Sequence, residues 1–129
     1  MRKKIVSTII AGALAVVPMA AFAANYSVSY EMKAYVNGKD NGQTYAATAG
    51  NITVEVQTST QYRVNQPSTY SQTLMRTGFF SDTAIGSVSP QINGYDSNTW
   101  SNLSGGTYYL VCSKQNDGAL LTASGTFYN

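Results

Sequence analysis

Side chains that could do catalytic chemistry are scarce in this sequence of 129 residues. It contains no histidine, which removes the commonest general base and the commonest zinc ligand. The single cysteine, Cys112, therefore has no imidazole to activate it as a nucleophile, and no Gly-x-Ser-x-Gly sequence marks a hydrolase serine. These observations predict a protein that is not an enzyme and has no cofactor.

The six carboxylates are the remaining candidates for catalysis, because glycoside hydrolysis needs two of them. Glu31 and Glu55 lie on the polar faces of predicted strands, where a solvated position is expected. The aspartates lie in predicted turns, which Asp favours for backbone reasons. Asp40 and Asp96 have neighbouring asparagines that could supply oxygen ligands, but neither segment has the carboxylate number or spacing of a calcium loop. We therefore expect no metal site.

Four aromatic residues could bind a ligand. Tyr95 and Trp100 lie in the segment 90–104, which is predicted to be irregular, and Tyr108 and Tyr109 begin the strand after it. Loops on a β scaffold often carry binding residues, and aromatic rings bring a large contact area and can stack on sugars. In the alternative, Trp100 fills the end of the core and one of the two tyrosines points inward, because a lone Trp is usually well buried.

Cys112 has no second cysteine with which to form an intramolecular disulfide. In an oxidising compartment it could join two chains through an intermolecular disulfide. The alternative is a small buried side chain on a strand, and we favour it because free cysteine is among the most buried residue types.

The amino-terminal residues have the pattern of a signal peptide. A basic head at 2–4 precedes an apolar run at 5–17, Pro18 ends the run, and Ala21-Phe22-Ala23 is a cleavage motif. The run is shorter than the roughly 20 residues that a membrane-spanning helix needs. We therefore expect residues 1–23 to be cleaved from a secreted, extracellular protein, and the short basic head is typical of bacteria.

The expected mature region, residues 24–129, has the length of one domain. It has five basic and six acidic residues, so its charge is close to neutral. Such a surface lacks the positive patch that attracts nucleic acid or anionic lipid. We expect no nucleic-acid partner and no stable membrane insertion, and the candidate partners are a cell-surface glycan, a protein, or another copy of the chain.

Apolar and polar residues alternate through most of this region, which predicts β-strands. Turn sequences separate them at 37–42 and 116–118, and the second turn is predicted to join a closing β-hairpin. We expect an antiparallel β-sandwich of six to seven strands, immunoglobulin- or fibronectin-like, with a small β-barrel as the alternative. The expected strands cover 26–36, 43–49, 52–62, 69–80, 84–88, 107–113 and 119–128.

The segment from Trp100 to Val111 contains Leu103, small residues and then Gly-Thr-Tyr-Tyr-Leu-Val. This resembles a strand edge found in fibronectin type III-like modules and in bacterial pre-peptidase carboxy-terminal domains. The resemblance implies a packing device like the tyrosine corner of secreted sandwiches and implies no activity.

Together these features favour a secreted binding module that contacts a cell-surface polymer or protein through residues 90–109. A self-assembling extracellular or fibre-forming protein is the second hypothesis, in which the strand from Tyr26 exchanges between subunits. A small secreted antagonist, such as a bacteriocin-like toxin, is the third, although the expected mature chain lacks the positive charge of membrane-active proteins.

Overall fold

The computed structural model describes residues 24–61 and 67–129. The predicted signal peptide lies outside these residues. The described part of the chain contains nine β-strands and no helix. The strands are β1 Asn25–Met32, β2 Tyr35–Asn37, β3 Tyr45–Ala47, β4 Gly50–Thr60, β5 Ser71–Arg76, β6 Thr83–Val88, β7 Tyr95–Leu103, β8 Gly106–Ser113 and β9 Leu121–Tyr128.

The strands form two antiparallel sheets that pack together as a sandwich, which confirms the predicted fold class. The first sheet has the order β1-β9-β4-β7. The second has the order β2-β8-β5-β6, and β3 also pairs with β8. Each sheet thus has one buried and one outward face, as the alternating sequence requires.

The core is built from the apolar positions of this alternation. In β4, Ile52, Val54 and Val56 are buried while the residues between them are half-buried. In the second sheet, Leu74 on β5 is buried against the same core. Between the sheets the rings of Tyr45 and Phe127 stack with their centroids 4.4 Å apart. Stacked aromatic pairs of this kind add to the stability gained by burial of apolar area.

The predicted strand count was too low, for two reasons. The single strand expected at 26–36 is interrupted at Lys33 and Ala34, so that β1 belongs to the first sheet and β2 to the second. Its even-numbered side chains nevertheless face the core throughout, which explains why the alternation continues across the break. The segment 90–104, expected to be irregular, contains β7, whose Asn, Ser and Thr residues resemble a loop in composition.

The predicted closing hairpin was also wrong. The turn at 116–118 is present, with Gly118 at a φ of 84° and its N–H bonded to the Asn116 side chain at 3.1 Å. However, β8 and β9 lie in different sheets, so the turn carries the chain across the sandwich. A turn sequence fixes the reversal of the chain but not the strand that pairs with it, because that choice depends on long-range contacts.

Candidate functional site

The most exposed apolar side chains of the described residues lie in the connection between β5 and β6, residues 77–82, which we call the Phe loop. Phe79 is 93% exposed and Phe80 is 94% exposed. Their ring centroids lie 4.7 Å apart with an angle of 80° between the planes, an edge-to-face pair. Two adjacent phenylalanines in water forgo a substantial hydrophobic gain, of about 1.5–3 kcal/mol for each fully buried ring.

Hydrogen bonds and steric contacts fix the first half of the Phe loop. The Thr77 N–H and hydroxyl both donate to the carbonyl of Thr107, at 2.9 and 3.2 Å. A Cβ at Gly78 would lie 2.0 Å from the carbonyl oxygen of Ser81, a distance that no side chain could occupy. The Gly78 N–H also donates to Asp82 Oδ1 at 3.2 Å. The loop therefore closes on itself, with the two phenylalanines at its tip.

Asp82 fixes the other end of the loop through its second carboxylate oxygen. Asp82 Oδ2 accepts hydrogen bonds from Lys39 Nζ at 2.8 Å and from the Tyr109 hydroxyl at 2.6 Å. The Lys39 ammonium, the Tyr109 hydroxyl and the Gly78 N–H lower the pKa of Asp82 to about 2. Burial and the Asp82 carboxylate raise the pKa of Tyr109 to about 12. Both groups therefore keep their charge states, and the bond between them, across the ordinary pH range.

The sequence-predicted aromatic residues do not share a surface. Trp100 is buried, and its Nε1 donates to the carbonyl of Gly86 at 3.2 Å. Tyr108 faces the core, Tyr109 lies on the outward face of the second sheet beneath Lys39 and Asp82, and Tyr95 lies on the outward face of the first sheet. This arrangement agrees with the alternative considered from the sequence, in which Trp100 fills the end of the core and one of the two tyrosines points inward.

Two of these aromatic residues have clear packing roles. The Tyr108 hydroxyl donates to the carbonyl of Ser104, four residues earlier, at 2.5 Å. That bond back to the preceding backbone is the geometry of a tyrosine corner. Trp100 joins β7 of the first sheet to β6 of the second.

Tyr95 remains available for binding and is 54% exposed. It lies beside Glu55, whose carboxylate accepts a hydrogen bond from the Tyr128 hydroxyl at 3.1 Å. Desolvation, the Glu55 charge and a hydrogen bond to Glu55 raise the pKa of Tyr95. Sequence analysis identified Tyr95 but not its two neighbours, because the three residues lie on three different strands.

Phe79 and Phe80 were missed because they were assigned to a continuous strand at 69–80. That strand, β5, ends at Arg76. The available signal was that Phe79 and Phe80 put apolar residues on both faces of the expected strand, whereas a strand with one solvated face usually alternates apolar and polar residues. A Gly before the pair and Ser-Asp after it are typical of a tight loop.

Cys112 is buried and free. Its thiol lies near the hydroxyl of Tyr30 and the side chain of Gln72, and burial raises its pKa to about 12. The Tyr30 hydroxyl is hydrogen-bonded in turn to the Tyr70 hydroxyl at 2.7 Å and to Gln72 Nε2 at 2.9 Å. The thiol is therefore part of an internal polar cluster and does not reach the surface.

Within residues 24–61 and 67–129, no three His, Cys, Asp or Glu side chains are grouped closely enough to hold a metal ion. The same residues contain no helix of the length and apolar character needed to cross a membrane.

No protein-family model matches the chain, and no curated protein sequence matches it. Solved structures with a similar fold include a mitogen from Yersinia pseudotuberculosis, with 12% identity and a TM-score of 0.42 over 81% of this chain and 84% of that one. They also include PliG of Aeromonas hydrophila, a periplasmic inhibitor of g-type lysozyme, with 15% identity and a TM-score of 0.42 over 88% and 93% of the two chains. At this level of similarity, neither protein's role is transferred to this chain.

Proposed function

We propose that this chain is a secreted, non-enzymatic binding module and that its Phe loop is the contact with a protein partner. The observation that carries the proposal is the exposure of Phe79 and Phe80, at 93% and 94%, on a loop that the rest of the domain holds in place. The signal peptide predicted at residues 1–23 supports the export of the protein.

The rigidity of the Phe loop favours binding. Asp82 links the loop to Lys39 on one side and to Tyr109 on the other, so the loop has little conformational freedom to lose when a partner binds. Pre-organised contacts of this kind raise affinity by reducing the ordering cost. Aromatic side chains inserted into a partner pocket are also the typical centre of a protein interface.

The charges near the loop favour a protein partner over an anionic membrane. The Lys39 ammonium is neutralised by the Asp82 carboxylate at 2.8 Å, and exposed Asp40 lies next to Lys39 in the chain. Arg76, immediately before the loop, is the second basic residue here, and its guanidinium is hydrogen-bonded to the Ser104 hydroxyl. Two basic and two acidic residues therefore balance near the loop and leave no net positive patch, whereas binding to anionic lipid depends on such a patch.

Site-specific photocrosslinking tests this proposal. Phe80→p-benzoylphenylalanine places the reactive group at the tip, and the same replacement at exposed Gln115 is the matched control. We expect illumination on intact cells to give one discrete crosslinked protein from position 80 and none from 115. Excess wild-type domain should suppress that product, and a Phe79→Ser/Phe80→Ser competitor should not. Equal crosslinking from both positions, or equal competition by the double variant, would contradict the proposal.

A further inference from the structure

The outward face of the first sheet has an unusual composition. Its four strands, β1, β9, β4 and β7, contain no lysine or arginine. The strand registers place Ser, Thr, Asn, Gln, Tyr and Glu at the outward positions. Ordinary protein surfaces carry charged residues of both signs interspersed. We call this surface the hydroxyl face.

Neighbouring strands are connected across the hydroxyl face through their side chains. Thr53 on β4 is hydrogen-bonded to Thr99 on β7, with 2.8 Å between the hydroxyl oxygens. Ser59 on β4 is bonded in the same way to Thr122 on β9, at 2.9 Å. These bonds hold the hydroxyl groups in a regular array.

A row of two tyrosines and one carboxylate crosses this array. Tyr128 is paired with Thr53 and Tyr95 with Gln57, so Glu55 lies between the two tyrosines along β4. The Tyr128 hydroxyl donates to Glu55 Oε1 at 3.1 Å, and Glu55 also interacts with the Tyr95 hydroxyl. The row crosses three adjacent strands, about 10 Å at the usual strand spacing.

We infer that the hydroxyl face binds a neutral polysaccharide chain along the row of Tyr95, Glu55 and Tyr128. The exposed ring of Tyr95 offers a flat apolar surface on which a sugar ring can stack. The Glu55 carboxylate can accept hydrogen bonds from sugar hydroxyls, and charge-assisted bonds are the stronger kind. Ser and Thr hydroxyls on either side can both donate and accept.

The charge of the face selects the class of glycan. Its outward charged side chains, Glu31 and Glu55, are acidic, and the four strands lack any basic residue that could pair with an anionic sugar. An acidic polysaccharide would therefore be repelled, whereas a neutral one would not. The face also lacks a large apolar centre of the kind found in protein interfaces.

This inference is independent of the proposed function of the Phe loop. The loop connects two strands of the second sheet, while the row lies on the outward face of the first. One molecule could therefore hold a glycan and a protein at the same time, and either site could fail while the other is retained.

The test is an NMR titration of the ¹⁵N-labelled domain with cellohexaose, chitohexaose and maltohexaose as neutral probes. Hexagalacturonate is the acidic comparison. We expect at least one neutral probe to shift the amide signals of Tyr95, Glu55 and Tyr128 while those of the Phe loop stay in place. Tyr95→Ala and Glu55→Gln should each weaken binding by up to about tenfold. Thr73→Ala, on the outward face of the second sheet, is the matched control and should bind normally.

Three results would overturn the inference. The first is that none of the three neutral hexasaccharides shifts these signals at millimolar concentration. The second is that hexagalacturonate binds as tightly as the neutral probes. The third is that these amide signals shift when the protein concentration is changed but not when sugar is added. That result would show that the face contacts a second copy of the chain.

Discussion

The Tyr109 hydroxyl donates a hydrogen bond to Asp82 Oδ2 over 2.6 Å, and this contact joins the Phe loop to β8 of the second sheet. Lys39 reaches the same oxygen from the turn after β2. Three segments that are distant in the sequence therefore meet at one carboxylate. The position of the two exposed phenylalanines depends on that meeting point.

The ionisation of Asp82 gives a pH-dependent prediction. Its pKa falls from 3.8 to about 2 in the folded protein, so its stabilising effect is complete above about pH 4 and is lost as the pH falls towards 2. We expect Asp82→Asn to be less stable than wild type at pH 6, with the difference shrinking between pH 4 and 2. Urea unfolding of both proteins at several pH values measures this, and a constant difference across that range would contradict it.

Gly125 should not tolerate any side chain. A Cβ there would lie 1.7 Å from the carbonyl oxygen of Glu55 on the neighbouring strand, so β4 and β9 would have to separate. We expect Gly125→Ala to cost at least about 3 kcal/mol of stability or to prevent folding. Gly105→Ala is the control, because its nearest neighbours are 3.4 Å away. Similar thermal denaturation of the two variants would show that β4 and β9 can accommodate a side chain at position 125.

Trp100 should contribute to stability. Trp100→Phe removes the hydrogen bond to the Gly86 carbonyl and part of the ring that fills the core. We expect a loss of about 1–3 kcal/mol. Tyr95→Phe, on an exposed ring, should change stability by no more than about 0.5 kcal/mol. Chemical unfolding followed by circular dichroism compares the two, and an unaffected Trp100 variant would indicate that the indole is not part of the core.

Cys112 should be inert in the folded protein. Its thiol is buried, and burial raises its pKa to about 12, so very little reactive thiolate forms at neutral pH. We expect iodoacetamide to modify it only when the protein is unfolded, as mass spectrometry can follow. A dimer that dissociates on reduction, or rapid labelling of the native protein, would instead support the intermolecular disulfide considered from the sequence.

Gln43 closes part of the exposed edge of β1. Its carboxamide accepts a hydrogen bond from the Ser29 N–H at 3.3 Å and donates one to the Ser29 carbonyl at 2.6 Å. These two bonds occupy backbone groups that could otherwise pair with a neighbouring strand. Open strand edges promote association between chains. We expect Gln43→Ala to increase concentration-dependent association in light scattering, with Gln115→Ala as the control. If wild type associates as strongly as the variant, the edge is open and the self-assembly hypothesis gains support.

Much of the fold could be predicted from local sequence. The alternation in β4 identifies that strand and its buried face, because side chains on successive strand residues point to opposite sides. β8 could be predicted from its continuous run of apolar residues, of which Tyr108, Tyr109 and Leu110 are all buried. The turns at 37–42 and 116–118 could also be located, because Asn and Gly tolerate the backbone conformations that a turn requires. A short sequence resemblance implied a packing device like a tyrosine corner, and the structure places that hydrogen bond at Tyr108.

The sheet to which each strand belongs could not be predicted. Residues 26–36 continue one pattern across two sheets, and β8 and β9 are neighbours in sequence without being paired. Alternation specifies which side of a strand faces the core, but both sheets of a sandwich share that core. The partner of a strand is therefore decided by the packing of the whole domain.

Both candidate sites depend on that packing. By itself the sequence determined a near-neutral region at 24–129, with mostly alternating strands and no histidine, and it identified Tyr95 as a candidate binding residue. Only the tertiary structure brought Lys39, Asp82 and Tyr109 together beneath the Phe loop, and Tyr95, Glu55 and Tyr128 into one row. The physical reason is that side-chain contacts between strands depend on register and sheet order, which are properties of the folded chain and not of any local segment.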